Sequence, residues 1–385
     1  MTTPTTTTIL IPCHQQAHQL PIALESALAQ TATDVEIVIV NDGSTDATHD
    51  VARAYSASHP GRVKLIEHDR NRGVSMARAS GLVATRGDFL VFLDADDQLA
   101  PHMVATCLRA FGGYPKAALV VGNAWTVGPD GRSDTRLLDQ QWVPRWPAVI
   151  ETNPFGVLVG VMMRTDAVRK VGGFGTDDLR ACEDWDLWAR MIRCHMQVVT
   201  VPQRLGWHRR QLASLGRSPV PMLDGRILLL DRCARDDDRL QDADVIPAPP
   251  IGARFYTQLR NSAVFHSLGL AAASMPSIEL YNEITRRLVP GSLVPARCGR
   301  QFALGWWHGC DIPFSEPPAR EIDIIIESVT LAFGRVGLVG RERVIRREIA
   351  RAFHPRRDAI WLWRAVAHRA RRISATSPTA ARFAG

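Results

Sequence analysis

Phe89-Leu90-Val91-Phe92-Leu93-Asp94-Ala95-Asp96-Asp97 is an apolar run that ends in three carboxylates. Five consecutive apolar residues read as a strand buried on both faces, as in a parallel sheet covered by helices. Carboxylates at the end of such a strand are costly unless a cation or a ligand compensates them. In open α/β sheets the carboxyl ends of the strands open into the ligand crevice, so a nucleotide diphosphate held through a divalent cation is the natural candidate for that position. The alternative is that Asp96 and Asp97 cap a following helix, because Asp is a favoured N-cap residue.

Working outward, the apolar β-branched runs Thr8-Ile9-Leu10-Ile11-Pro12 and Val35-Glu36-Ile37-Val38-Ile39-Val40 flank residues 20–28, which are apolar at helical spacing. The alternation continues with a helix over 46–56, a strand over 63–66, a helix over 74–85 and the strand 89–93. Asn41-Asp42-Gly43-Ser44 and Asn71-Arg72-Gly73 supply turn chemistry between these elements. Such alternation implies right-handed crossovers and a mainly parallel, Rossmann-like sheet flanked by helices. Beyond Asp97 the pattern loosens: a helix over 103–111, strands over 118–122, 157–163 and 198–202, helices over 165–171 and 183–193, and a Trp- and Pro-containing wall over 141–154. Past about residue 217 the chain reads as helical, at 223–235, 253–273, 323–333 and 342–353, with a Pro247-Ala248-Pro249-Pro250 linker. Two regions follow, a catalytic α/β domain over 1–217 and a helical C-terminal region over 218–385 that is basic at its end.

The chain has 385 residues, 46% hydrophobic and 22% charged, enough for a substantial core. Its seven Cys residues are scattered and include no CxxC pair, which argues against a disulfide framework or a zinc site. No apolar stretch approaches the roughly 20 residues of a membrane span, and Met1-Thr2-Thr3-Pro4-Thr5 lacks the features of a signal peptide. A cytoplasmic location is the default expectation. The net charge of +7 is concentrated late, from Arg335 to Arg372. With Trp361-Leu362-Trp363 among those arginines, the tail reads either as an interfacial helix on an anionic membrane surface, at the inner face of the membrane, or as a packed helix with a solvated basic face. No nucleic-acid recognition module accompanies the charge, so no nucleic-acid partner is expected.

Residues 8–214 resemble the family-two glycosyltransferases, inverting enzymes of the GT-A fold that use nucleotide-diphospho-sugars. The resemblance rests on motifs that agree in order and spacing: Ile11-Pro12-Cys13, Ala27-Leu28-Ala29-Gln30, Asn41-Asp42-Gly43-Ser44-Thr45-Asp46, Asn71-Arg72-Gly73 with Ala77-Arg78, the run Asp94-Ala95-Asp96-Asp97, Gly172-Gly173-Phe174, and Glu183-Asp184-Trp185-Asp186-Leu187-Trp188. Sugar transfer to a hydroxyl needs a leaving diphosphate whose charge is neutralised and a base that takes the hydroxyl proton. A hard divalent cation with oxygen ligands, Mn²⁺ or Mg²⁺, suits the first task.

The resemblance implies that Asp96 ligates that metal and that Asp94 contacts the donor ribose or reaches the metal through water. Asp97 is left to helix capping or to orienting its neighbours. Asp184 is implied as the general base, with Glu183 orienting it or the acceptor; the plainer reading of this pair is stabilisation of a helix N-terminal turn. Asp42, with Pro12 and His14, is implied to form the nucleotide-base pocket, its carboxylate accepting from uracil N3–H, and Arg78 to close it. His14 stands where many relatives carry Tyr, and Asn41 where many carry Asp; the plain reading of His14 is a surface loop histidine. Residues 207–214 resemble a segment that closes over the donor diphosphate, where Arg209 or Arg210 suits phosphate contact, against a solvated loop arginine. Gln211 stands where relatives often carry His.

The expected partners are a nucleotide-sugar donor, UDP-sugar favoured, and a glycan, lipid-linked or protein acceptor contacted from residues 142–155 and the C-terminal region. Two rival readings are a catalytically degenerate scaffold that binds a partner or membrane and a nucleotidyltransferase. The latter needs a basic Gly-rich loop after the first strand, which Pro12-Cys13-His14-Gln15 does not supply.

Overall fold

The computed structural model describes residues 6–128, 133–136, 144–175, 179–211, 218–242, 244, 246–274, 277–289, 294–309, 344 and 347–349. They divide into two compact units, residues 1–138 with 143–259, and residues 139–142 with 260–385. Apart from residues 344 and 347–349, the Arg-rich stretch from Arg335 to Arg372 lies outside the described residues, as do Trp142 and the segment 323–333.

The first unit is built on a nine-stranded sheet in the order β3-β2-β1-β4-β8-β6-β9-β5, with β7 paired to β6. Four of these strands form the parallel half: β1 (Thr7–Cys13), β2 (Val35–Asn41), β3 (Val63–Glu67) and β4 (Phe89–Phe92). They are linked by α1 (Leu20–Leu28), α2 (Thr48–Ser58) and α3 (Val74–Ala84). Every residue of β1 is buried, which accounts for its unbroken apolar and β-branched character. Alternate residues divide between two cores. Ile9, Ile11, Ile37, Ile39, Val91 and Leu93 pack in one cluster with Leu20 and Leu24 of α1 and with Met103 and Cys107 of α4 (Met103–Gly113). On the other face Leu10 meets α3 so closely that a Cβ on Gly81 would overlap it. Each of these fully buried aliphatic side chains stabilises the fold by roughly 1.5–3 kcal/mol.

The second half of the sheet is mixed rather than parallel. It contains β5 (Gln98–Leu99), β6 (Ala117–Val127), β7 (Ser133–Arg136), β8 (Val161–Arg164) and β9 (Gln197–Arg209). The pairs β4–β8, β6–β8, β6–β7 and β5–β9 are antiparallel, and only β6–β9 is parallel. The strand read at 157–163 begins at Val161 because Gly156 and Gly160 take φ of 74° and 95°, outside strand geometry. The strand read at 198–202 runs on to Arg209; its register slips against β6 near Pro202, whose carbonyl accepts from the Asn123 side chain at 2.9 Å. Asp97 caps no helix: β5 follows it, and α4 begins only at Met103.

After β8 come α5 (Thr165–Lys170), α6 (Glu183–Arg193) and, beyond β9, α7 (Pro219–Cys233), which packs on α6. Trp185, Leu187, Trp188 and Met191 of α6 are buried, as its spacing predicts. Helix α8 covers Ala253–Ser274. Within the second unit lie α9 (Ile278–Thr285) and α10 (Pro295–Gly309). There Asn261 exchanges two hydrogen bonds with the Val289 backbone, and Phe265, Leu268 and Phe302 are buried. Among the described residues no helix is long and apolar enough to cross a membrane.

Candidate active site

The register of the parallel strands fixes where the site lies. Cys13 is level with Asn41, Asn41 with Glu67, and Leu10 with Phe92, so residues 14, 42, 68 and 94 leave the sheet along one edge. The loop after β1 is laced to the loop after β2: Gln15 accepts from the backbone N–H of Thr45 and Asp46, each at 3.0 Å, and Gln16 N–H donates to Thr48. The His14 ring donates from Nδ1 to the Asp42 carbonyl at 2.9 Å, which sets its plane beside the β2 turn. Pro12, buried, is the penultimate residue of β1. Gly43 has φ of 64°, and a Cβ there would run into the Arg70 backbone, so the turn after Asp42 admits no side chain.

Asp42 is almost fully buried. Its carboxylate accepts from the backbone N–H of Arg72 at 3.0 Å and of Gly73 at 2.8 Å, and from His68 Nδ1 at 2.6 Å. It therefore pins the turn that opens α3.

One turn into α3, Arg78 joins two acidic segments. It projects from α3, fully buried, with its guanidinium 5.9 and 5.7 Å from the ring centres of Phe92 and Phe174. Nη2 donates to Asp94 at 2.6 Å and Nη1 to Glu183. Burial works against its charge, but Asp94, Glu183 and Asp184 outweigh it and keep the guanidinium protonated. The acidic run after β4 and the acidic pair at the head of α6 thus converge on one cation, which their separation in sequence conceals.

Each carboxyl there has its own environment. Asp96 is pushed up to about 7 by burial and by the charges of Asp97 and Asp94, and its Oδ2 accepts from Gln211 at 2.8 Å. Asp97 is buried and raised by that burial, against which the His208 imidazole works; it accepts from His208 at 3.2 Å and from the Arg209 backbone at 2.9 Å. Asp97 therefore anchors the end of β9, and with it Arg209 and Arg210, beside Asp96. The buried Nε of Arg209 finds no hydrogen-bond partner among the described residues, while Arg210 is bonded through its N–H to Val127. Residues 212–214 of the expected closing segment lie outside the described residues.

Asp184 is raised by burial, partly offset by Arg78 and by Asn153, whose side-chain N–H donates to Oδ2 at 3.0 Å. Glu183 is likewise raised by burial, opposed by Arg78. Asn153 itself is held by accepting from the N–H groups of Phe155 and Gly156, and Trp185 donates to the Val149 carbonyl at 2.9 Å. The segment before β8 thus meets the first turn of α6 and orients Asp184, a role that nothing in its irregular sequence announces. Asp186, two residues further along α6, is held well below the carboxylate range: burial opposes its charge, but Arg190, Arg239 and Arg232 overcome it.

A hard cation fits this donor set. Among the described residues no group of three or more His, Cys, Asp or Glu side chains forms a closed cage. Mg²⁺-type ions, however, are held by one or two carboxylates completed by phosphate oxygens and water, and Asp96 is a carboxyl short of positive charge. A cavity of about 170 Å³, lined by Ser75, residues 172–175, Glu183, Asp186, Arg190 and Arg239 among others, touches none of Asp42, Asp94, Asp96 and Asp184. Ligand pockets run to about 300–1,000 Å³, so it is too small for a nucleotide-sugar.

The family model described as glycosyl transferase family 2 matches residues 8–172. The chain is 33% identical over 199 residues to the succinoglycan biosynthesis protein ExoO of Rhizobium meliloti, covering 49% of this chain and 56% of that protein. It is 30% identical over 218 residues to the glycosyltransferase alr2836 of Nostoc, covering 52% and 63%. It is 37% identical over 100 residues to the glycosyltransferase YibD of Escherichia coli, covering 26% and 28%. In each case it spans less than two thirds of the relative. Among solved structures, S. aureus TarS 1–349 aligns over 90% of either chain with a TM-score of 0.54 at 14% identity, and its complex with UDP-GlcNAc gives 0.56 at 13%. That likeness is one of fold, the open mixed sheet flanked by helices of the GT-A type. Residues 8–172, a little under half of the chain, thus match glycosyl transferase family 2.

Proposed function

We propose that the protein transfers a sugar, with inversion, from a nucleotide-diphospho-sugar to an acceptor hydroxyl. The observation that carries this reading is the bridge made by Arg78 between Asp94 and Glu183. It brings the acidic strand end that suits a donor diphosphate to the acidic helix start that suits an acceptor. Asp96, with Asp94, would hold Mn²⁺ or Mg²⁺. When bound, the cation supplies positive charge to the leaving diphosphate. Asp42, His14 and Pro12 would flank the nucleobase, a uracil in the favoured reading, and Arg209 with Arg210 would approach the diphosphate. Arg78 holds Asp94 and Glu183 in place, so its part is positioning rather than base contact. Among the similar structures is TarS in complex with UDP-GlcNAc, a donor of the proposed class.

Asp184 would take the proton of the acceptor hydroxyl. Burial raises its affinity for a proton, and hydrogen bonds from the Asn153 side chain and the Trp185 backbone orient its carboxylate. Mutation to Asn keeps the shape and removes the base. Asp184→Asn is expected to slow release of nucleoside diphosphate from the donor by roughly 10²- to 10⁴-fold while donor affinity stays near wild type. Turnover near wild type would remove Asp184 from this role.

A further inference from the structure

Asp42 is joined to His68 and Ser80 in a chain of hydrogen bonds, and neither His68 nor Ser80 has a part in the reaction outlined above. His68 Nδ1 lies 2.6 Å from Asp42 Oδ1, and its Nε2 lies 2.9 Å from the Ser80 hydroxyl. The His68 side chain is 6% exposed and that of Asp42 is 4% exposed, so neither exchanges these partners for water. The three residues come from different places along one sheet edge: the turn after β2, the loop after β3, and the middle of α3. The spacing matches a nucleophilic triad, but a hydroxyl in mid-helix has no free backbone N–H groups around it to receive an oxyanion. A mid-helix Ser ordinarily bonds back to its own helix; Ser80 instead holds the far nitrogen of His68.

We infer that His68, backed by Ser80, is a positioning residue that fixes the Asp42 carboxylate so that it presents one acceptor site, selecting a nucleobase with a single ring N–H between carbonyls. The inference deepens the donor reading given above and rests on it. A carboxylate offers about four lone-pair sites. Oδ1 accepts from His68 and from the Arg72 N–H, which fills it; Oδ2 accepts from the Gly73 N–H, which leaves one site. Guanine presents two adjacent N–H groups and calls for both oxygens of a carboxylate, and Oδ1 is closed to it. Cytosine has no ring N–H at its pairing edge. Uracil and thymine present one, matching the one site left.

The test is calorimetric binding of UDP, GDP, CDP and inorganic pyrophosphate, each with Mn²⁺, to the full chain and four variants. His68→Leu is expected to lose about 10- to 100-fold in UDP affinity, the range for one hydrogen bond to a charged group, and to narrow the preference for UDP over GDP and CDP. Pyrophosphate, which has no base, should bind it as it binds wild type. His68→Asn, which keeps a donor near the Nδ1 position, should recover most of the loss, and Ser80→Ala should move UDP affinity in the same direction by less. If His68→Leu does not fold, His68→Asn and Ser80→Ala carry the test through the ratio of UDP to pyrophosphate affinity. Asp42→Ala separates the two levels. If it binds UDP as wild type does, Asp42 does not read the base and the donor reading itself is wrong at this position. If Asp42→Ala loses UDP while His68→Leu and Ser80→Ala keep wild-type affinity and preference, the donor reading stands and the positioning role is overturned.

Discussion

Replacing Arg78 by Met probes the bridge on which the site is built. Met retains much of the side-chain volume between Phe92 and Phe174, so the change is chiefly one of charge. In the wild type the Arg78 side chain is 2% exposed, Glu183 11% and Asp94 36%. Losing the partner of Asp94 costs little, because water reaches that carboxylate and screens it. Glu183 has no such relief, and an unpaired buried carboxylate costs about 3–5 kcal/mol. The chain can escape part of this by protonating Glu183, whose carboxyl burial already raises and which only Arg78 strongly opposes.

The sign follows from that direction. A carboxyl raised in the folded state imposes no penalty below its unfolded value of 4.5, an increasing one as pH rises above it, and a constant one beyond the folded value. The destabilisation of Arg78→Met should therefore be small near that unfolded value and largest at neutrality. The assay is denaturant unfolding followed by tryptophan fluorescence at pH about 5 and about 8, for wild type, Arg78→Met, Glu183→Gln and the double variant. Glu183→Gln in the Arg78→Met background should recover most of the loss and reduce its pH dependence to the part that Asp184, which Arg78 also faces, contributes. A cost that is independent of pH, or one that Glu183→Gln makes worse, would refute the reasoning.

Gly43→Ala should destabilise the chain by about 1–3 kcal/mol, from the left-handed backbone and the Arg70 contact, seen as a lower melting temperature and weaker nucleotide binding. Asp186→Asn leaves Arg190, Arg232 and Arg239 without their buried carboxylate and should cost about 3–5 kcal/mol at neutral pH. Because the folded Asp186 lies below its ordinary value of 3.8, its contribution is complete above that value and disappears as pH falls through the folded value; acid unfolding curves of wild type and variant should converge there. Asn153→Ala removes a hydrogen bond that favours the charged form of Asp184. The acid limb of turnover should move to higher pH, since the base is active only when deprotonated.

The parallel half of the fold was legible because β1 to β4 are continuous apolar runs separated by helical spacing and turn residues, each signal local. The mixed half was not, since β8 begins only where Gly156 and Gly160 release the backbone, and β9 passes a Pro whose consequences depend on its partner strand. The acidic run at Asp94 could be found from a local conflict, charge at a buried strand end. What the carboxylates do depends on long-range partners: Glu183 lies 105 residues from Arg78, and Asn153 lies 31 from Asp184. His68 carried a weak signal, a histidine three residues before the Asn71-Arg72-Gly73 turn, but its bond to Asp42 spans 26 residues. Asp97 reads as a helix cap by composition and becomes a strand anchor because His208 and Arg209 arrive beside it.

Nucleotide-sugar binding by wild type and Asp96→Asn, measured calorimetrically with Mn²⁺, with Mg²⁺ and without either, tests the donor site most directly. At least one nucleotide-diphospho-sugar is expected to bind the wild type in a cation-dependent manner and to lose that dependence in Asp96→Asn. Failure of every nucleotide-diphospho-sugar to bind, or equal cation-dependent binding by Asp96→Asn, would contradict it.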